Sequence, residues 1–189
     1  MTWLDATAQA GLVRRGEVSP RELAEAAIAR IEAVNPKLDA VIRTRFDAAL
    51  AEAGGQLPDG PFRGVPILLK DLDCMVAGEP TAFGIGPLRE VAWPVTSYLA
   101  EQFRAAGFVS LGRTNVPELG TTVTTEPRSF PPARNPWDPA VRPAARPGER
   151  PPRWRPAWWP SRTPVTAAVP SASRRVSAGW SASSRPVAG

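Results

Sequence analysis

The sequence predicts an α/β fold, and three stretches carry that prediction. "GVPILLKDL" (64–72) and "FVSLGRTN" (108–115) are short apolar runs bounded by turn or polar residues, the pattern of buried strands. Between them, residues 96–106 place Leu99, Phe103 and Ala106 at helical spacing before Gly107, a natural helix stop. Strand, loop, helix, strand is the order of a parallel α/β layer. In such layers the chemistry gathers beyond the carboxyl ends of the strands, here Lys70-Asp71 and Arg113-Thr114-Asn115.

The elements before the first strand are helical. Residues 2–14 read as a short helix with Leu4, Ala8 and Leu12 inward. Ser19, Pro20 and Glu22 then form a helix start: serine caps, proline fits the first turn, and glutamate completes a capping box. Leu23, Ala24, Ala27, Ile28, Ile31 and Val34 follow on one face, and Asn35-Pro36 is expected to stop the helix. Residues 47–53 form a third helix that ends at Gly54-Gly55. Residues 73–94, with Gly78, Pro80, Gly84, Gly86, Pro87 and Pro94, read mostly as loop.

The chain of 189 residues has room for one ordinary domain, or one domain with a tail. Its net charge of +5 is split unevenly. Residues 1–140 hold 14 Lys+Arg against 17 Asp+Glu, whereas residues 141–189 hold nine arginines, no lysine and one acid, Glu149. The basic character therefore belongs to the tail and says nothing about the partners of residues 1–140. No apolar stretch reaches the about 18 residues of a membrane span, and the N-terminus lacks the apolar run of a signal peptide. A single cysteine, Cys74, makes no internal disulfide and fits a reducing compartment, so a cytoplasmic location is expected.

The absence of histidine excludes a Ser-His-Asp or Cys-His unit within the chain. Cys74, with no histidine to activate it, reads as a small loop or core residue. Asp71, Asp73 and Glu79 show no catalytic acid-pair spacing and read as solvated loop acids. Thr114 and Asn115 have two readings, support for a site or the turn or cap that a strand-end polar pair usually forms. Lys70 has two readings: a strand-end lysine paired with Asp71 or Asp73, or a base in a site. A lysine that takes a proton must be neutral. Burial among apolar neighbours such as Ile67, Leu68 and Leu69 favours that state, because desolvation disfavours the cation.

"GVPILLKDL", "GEPTAFG" and "LGRTNVPELG", followed by "NPWDP", stand in the order and spacing of the N-terminal part of the amidase signature family, which residues 60–140 resemble. The helical lead-in over 1–60 fits as well. The resemblance implies the N-terminal portion of that family's fold, a mixed sheet flanked by helices, here incomplete and occupying residues 1–140. It implies hydrolysis of a carboxylic amide C–N bond through a Ser–cis-Ser–Lys unit, which needs no histidine. Lys70 matches the catalytic lysine that takes the serine proton. The implied partner is a small-molecule amide, with no cofactor, metal, specific nucleic acid or membrane. Amidotransferase subunits that serve tRNA-linked amidation share the same motifs and form the alternative.

After "NPWDP" the family pattern calls for a glycine-serine loop of the type PGGSSGG, an alanine-rich helix, "DGGGSIRIPA" with the nucleophilic serine, and a "GLVGLKPSRG"-type segment. The chain instead carries residues 141–189, where Ala, Arg, Pro and Ser make up 34 of the 49 positions. A frame shift explains the change. Residues 142–150 can be written CGC CCG GCG GCT CGT CCG GGG GAG CGG, and reading from the third base gives PGGSSGGA. Tryptophan has one codon, so Trp158-Trp159 forces a valine and Trp159-Pro160 an alanine in the shifted frame. The rest permits the alanine-rich helix, then SDGGGSIRIP, then GLVGLKPSRG. A single-base deletion near the Ala140 codon joins the two frames. The tail at 141–189 is therefore expected to be out of frame and disordered. The alternative treats its interleaved Arg, Trp and Pro as a selected arm for nucleic acid, an anionic membrane surface or a polyproline-reading domain.

Overall fold

The computed structural model describes residues 4–138. The expected helix start at residue 2 and the tail at 141–189 lie outside the described residues. Four helices and three strands follow the order α1 (Ala6–Arg14), α2 (Pro20–Leu38), β1 (Val41–Thr44), α3 (Phe46–Gly54), β2 (Pro66–Lys70), α4 (Tyr98–Ala105) and β3 (Val109–Thr114).

The helices begin where their caps dictate. Asp5 caps α1 by accepting the Ala8 N–H at 2.7 Å. Ser19 closes the capping box of α2: its Oγ accepts the Glu22 N–H at 3.2 Å, and its own N–H donates to Glu22 Oε2 at 2.8 Å. The end of α2 corrects the sequence expectation. Pro36 does not stop the helix, which runs on to Leu38 and is capped by Asp39 in the left-handed conformation. Pro36 removes the one i→i−4 hydrogen bond that its N–H would have made, two residues before the helix ends. Asn35 then steers the exit: its Oδ1 accepts the N–H groups of Ala40 and Val41, and its Nδ2 donates to the Val41 carbonyl at 2.8 Å. This side chain aims the chain into β1, a strand that the sequence pattern did not indicate.

The sheet order is β1-β3-β2, with β1 antiparallel and β2 parallel to β3. It is thus mixed, not purely parallel. Helices cover both faces. Ala24 and Ile28 of α2 and Ala49 and Ala53 of α3 pack on Val109 and Leu111 of β3, with Leu68 at the margin. On the other face Ile67 and Leu69 of β2 meet Cys74 and Ala100 of α4, flanked by Phe103 and Phe108. Three apolar faces differ from the expectation: Leu4, Val34 and Leu99 are exposed. Leu4 precedes the start of α1, whose buried residues are Ala10 and Gly11, and Ala100 is the buried residue of α4. Gly107 ends α4 as expected, at φ +91°. Gly112 admits the close approach of β1, because a Cβ there would lie 2.1 Å from the Arg43 carbonyl oxygen.

Candidate active site

Because β2 and β3 are parallel, their carboxyl ends open on the same edge of the sheet. Lys70 and Thr114 are register partners there, and the Asp71 N–H continues the ladder by donating to the Thr114 carbonyl at 3.2 Å. Along β2, Ile67 and Leu69 are buried and Lys70 is exposed. The desolvation expected from the flanking Ile67, Leu68 and Leu69 is not supplied by the described residues. The apolar side chains of Ile67 and Leu69 turn to the α4 face, while Lys70 is the exposed last residue of the strand. The pairing of Lys70 with Asp71 or Asp73 is also absent among the described residues, where the Lys70 ammonium makes no ion pair.

Asp71 is turned inward instead. It is fully buried, and both carboxylate oxygens accept the Ala82 N–H, at 3.3 and 3.2 Å. Burial raises its carboxyl above the usual aspartate range, against the opposing pull of the Ala82 N–H and the Arg113 and Arg43 guanidiniums. Asp71 is therefore not the solvated loop acid expected from sequence. Nor is Glu79, which stands 2.9 Å from Arg45 Nε and 3.5 Å from Arg113 Nη2. Arg113 is buried and donates through Nη1 to the Cys74 carbonyl at 2.9 Å. Burial pushes its guanidinium down, with Glu79 and Asp71 opposing. Arg45 also binds Glu52 at 3.0 Å and the Ser110 carbonyl at 2.9 Å.

These contacts fasten the loop after β2 to the sheet. The Thr81 carbonyl accepts Trp93 Nε1 at 2.9 Å, and Phe83 meets the Trp93 ring edge-on. The Phe83 carbonyl accepts the Leu119 N–H at 2.8 Å, and Ser129 Oγ donates to the Gly84 carbonyl at 2.8 Å. "GEPTAFG" and "LGRTNVPELG" are thus in contact beyond the strand ends. Asn115 ties distant segments to the strand end: Nδ2 donates to the carbonyls of Pro131 at 2.8 Å and Asp39 at 3.2 Å. Cys74 is buried, as expected of a core residue, and burial pushes its thiol up. Of two open surface hollows, one lies along α1 and one at the turn between α1 and α2, and neither is lined by Lys70. The site is an open strand edge. Sequence reasoning missed the acid–arginine network beneath it, although the alternation Ile67, Leu69, Asp71 already placed Asp71 on the buried face.

The sequence model of the amidase family matches residues 22–145. The chain belongs to the amidase family. Amidases are hydrolases that act on C–N bonds. Over 138 residues the chain is 49% identical to the 6-aminohexanoate-cyclic-dimer hydrolase of Paenarthrobacter ureafaciens, covering 72% of this chain and 28% of that one. It is 37% identical over 146 residues to a glutamyl-tRNA(Gln) amidotransferase subunit from Salinispora tropica, covering 73% and 29%. A solved structure of 6-aminohexanoate cyclic dimer hydrolase superposes with a TM-score of 0.70 at 46% identity, over 74% of this chain and 29% of that chain. The mixed sheet with its helices is therefore the N-terminal portion of the amidase fold. The chain spans under a third of the length of the curated relatives it matches. No helix among the described residues is long and apolar enough to cross a membrane.

Proposed function

We propose that residues 1–140 are the N-terminal part of an amidase that hydrolyses a small-molecule carboxylic amide through a Ser–cis-Ser–Lys unit with Lys70 as its base. The observation that carries this reading is the position of Lys70: a free ammonium at the open carboxyl end of a parallel strand, in a chain of the amidase family. In this reading the serine-bearing segment closes over Lys70 and supplies the desolvation that the described residues do not. The neutral amine then takes the proton of the bridging serine, which takes that of the nucleophilic serine as its oxygen attacks the amide carbonyl, while backbone N–H groups of the glycine-serine loop hold the oxyanion. The proton returns by the same path to the leaving amine as the C–N bond breaks, and water then releases the acyl group from the serine. The likeness to 6-aminohexanoate-cyclic-dimer hydrolase makes that cyclic amide the first substrate to test, and it favours a stand-alone amidase over an amidotransferase subunit.

The second part of the proposal concerns residues 141–189. They hold the shifted-frame image of the serine loop, the helix and the nucleophile segment, so as written the 189-residue chain lacks both serines of the unit. Loss of such a unit removes about 10⁶ in kcat, and the chain is inactive. The test has two arms. One base is restored near codon 140 and the longer product is assayed for amide hydrolysis beside the 189-residue chain. Activity in the longer product, abolished by Lys70→Ala, is the expected result. A folded longer product without amidase activity sinks the family mechanism, and turnover by the 189-residue chain sinks the claim of inactivity.

A further inference from the structure

We propose that Asp71 is a positioning residue: its inward-turned carboxylate fixes the main chain at the end of β2 and so sets where Lys70 is presented. Lys70 has no side-chain partner of its own among the described residues, so its location depends on the backbone that carries it. That backbone is held at the next residue. The Asp71 N–H donates to the Thr114 carbonyl at 3.2 Å, while the fully buried carboxylate takes the Ala82 N–H on both oxygens and faces Arg113 and Arg43. Arg113 is itself pinned to the Cys74 carbonyl and lies beside Glu79. Turning Asp71 outward would strip the Ala82 N–H of its acceptor and leave buried Arg113 with less counter-charge, both unfavourable in the interior. Successive side chains of an extended strand point to opposite faces. An anchored Asp71 on the Leu69 face therefore commits Lys70 to the opposite face, that of Leu68, at the exposed end of the strand.

The role as stated rests on Lys70 being the base, but its test needs no turnover, so the two ideas fail separately. Lys37 and Lys70 are the only lysines of the chain. Reductive ¹³C-methylation of the full 189-residue chain gives NMR signals for these two and the amino terminus. Asp71→Asn is expected to move or broaden the Lys70 signal and to change its rate of modification by amine reagents, with the Lys37 signal on α2 unmoved. Ile28→Ala, in the core that α2 forms with β3 and away from the Asp71 contacts, lowers stability and is expected to leave the Lys70 signal in place. Arg113→Lys spares the carboxylate but withdraws the guanidinium that faces it, and shifts Lys70 in the same direction by less; it decides the matter should Asp71→Asn not fold. An unmoved Lys70 signal in either folded variant, or an equal movement in Ile28→Ala, overturns the proposal.

Discussion

Arg45 Nε lies 2.9 Å from Glu79 Oε1, which joins the residue that opens α3 to the loop that follows β2. The other Glu79 oxygen is 3.5 Å from buried Arg113 Nη2. One carboxylate therefore serves two arginines from different strands' ends, and its removal leaves Arg113 in the interior with only Asp71 opposite. Breaking a fully buried pair costs about 3–5 kcal/mol. The Glu79 side chain keeps 28% exposure, so Glu79→Gln is expected to lower unfolding free energy by about 2 kcal/mol. Urea denaturation of the two chains at equal ionic strength measures the difference. A change below a few tenths would show that Glu79 is a solvent-screened surface pair.

Asp71 gives a pH dependence of definite sign. Burial raises its carboxyl in the folded chain above the ordinary 3.8 of the unfolded one. Between those two values the folded chain binds the extra proton, so this residue's contribution to stability is full below the ordinary value and is lost as pH rises through the raised one. Wild type should gain stability relative to Asp71→Asn as pH falls from about 7 to about 4. Thermal unfolding of both proteins across that range reads the difference directly. Parallel curves would mean that the arginines, not burial, govern this carboxyl.

Much of the fold was legible because its signals are local. The Ser19–Glu22 box, the apolar stripe of α2 and the Gly107 stop each act through a few neighbouring residues. What failed depended on distant partners. β1 is four residues with no clean alternation, and it exists because β3 pairs with it across Gly112. α2 passes Pro36 because Asn35 and Asp39 complete its end. Leu99 is apolar yet exposed, since α4 presents Ala100 and Phe103 to the sheet. At the candidate site the position of Lys70 at a strand end followed from the sequence. The inward turn of Asp71 had only the alternation Ile67, Leu69, Asp71 to signal it, and that of Glu79 had no local signal, because the arginines that receive them come from residues 43, 45 and 113.

Leu111 tests the core that carries this arrangement. It is 2% exposed and packs with Ile28, Ala24 and Ala49 beneath the strand that bears Arg113. Leu111→Ala removes three carbons from a close-packed site and is expected to cost about 2–5 kcal/mol, the spread reflecting how far α2 and α3 collapse into the space. Denaturation with a two-state fit provides the value. A loss under about 1 kcal/mol would indicate that the helices are not firmly seated on β3.

Gly112 should be the least replaceable residue of the sheet. Its φ is +153°, and a Cβ built on it falls 2.1 Å from the Arg43 carbonyl oxygen and 3.1 Å from the Thr44 Cα. Both obstacles are backbone of β1, so no side-chain rotation relieves them. Gly112→Ala must either push β1 from β3 or break the pairing of Thr44 with Gly112. Since Arg43 and Arg45 flank that point, the guanidiniums that face Asp71 and Glu79 would move with the strand. The expected outcome is loss of protection from hydrogen exchange across Val41–Thr44, with α2 amides affected less. Retention of β1 protection in a folded Gly112→Ala chain would disprove the close approach.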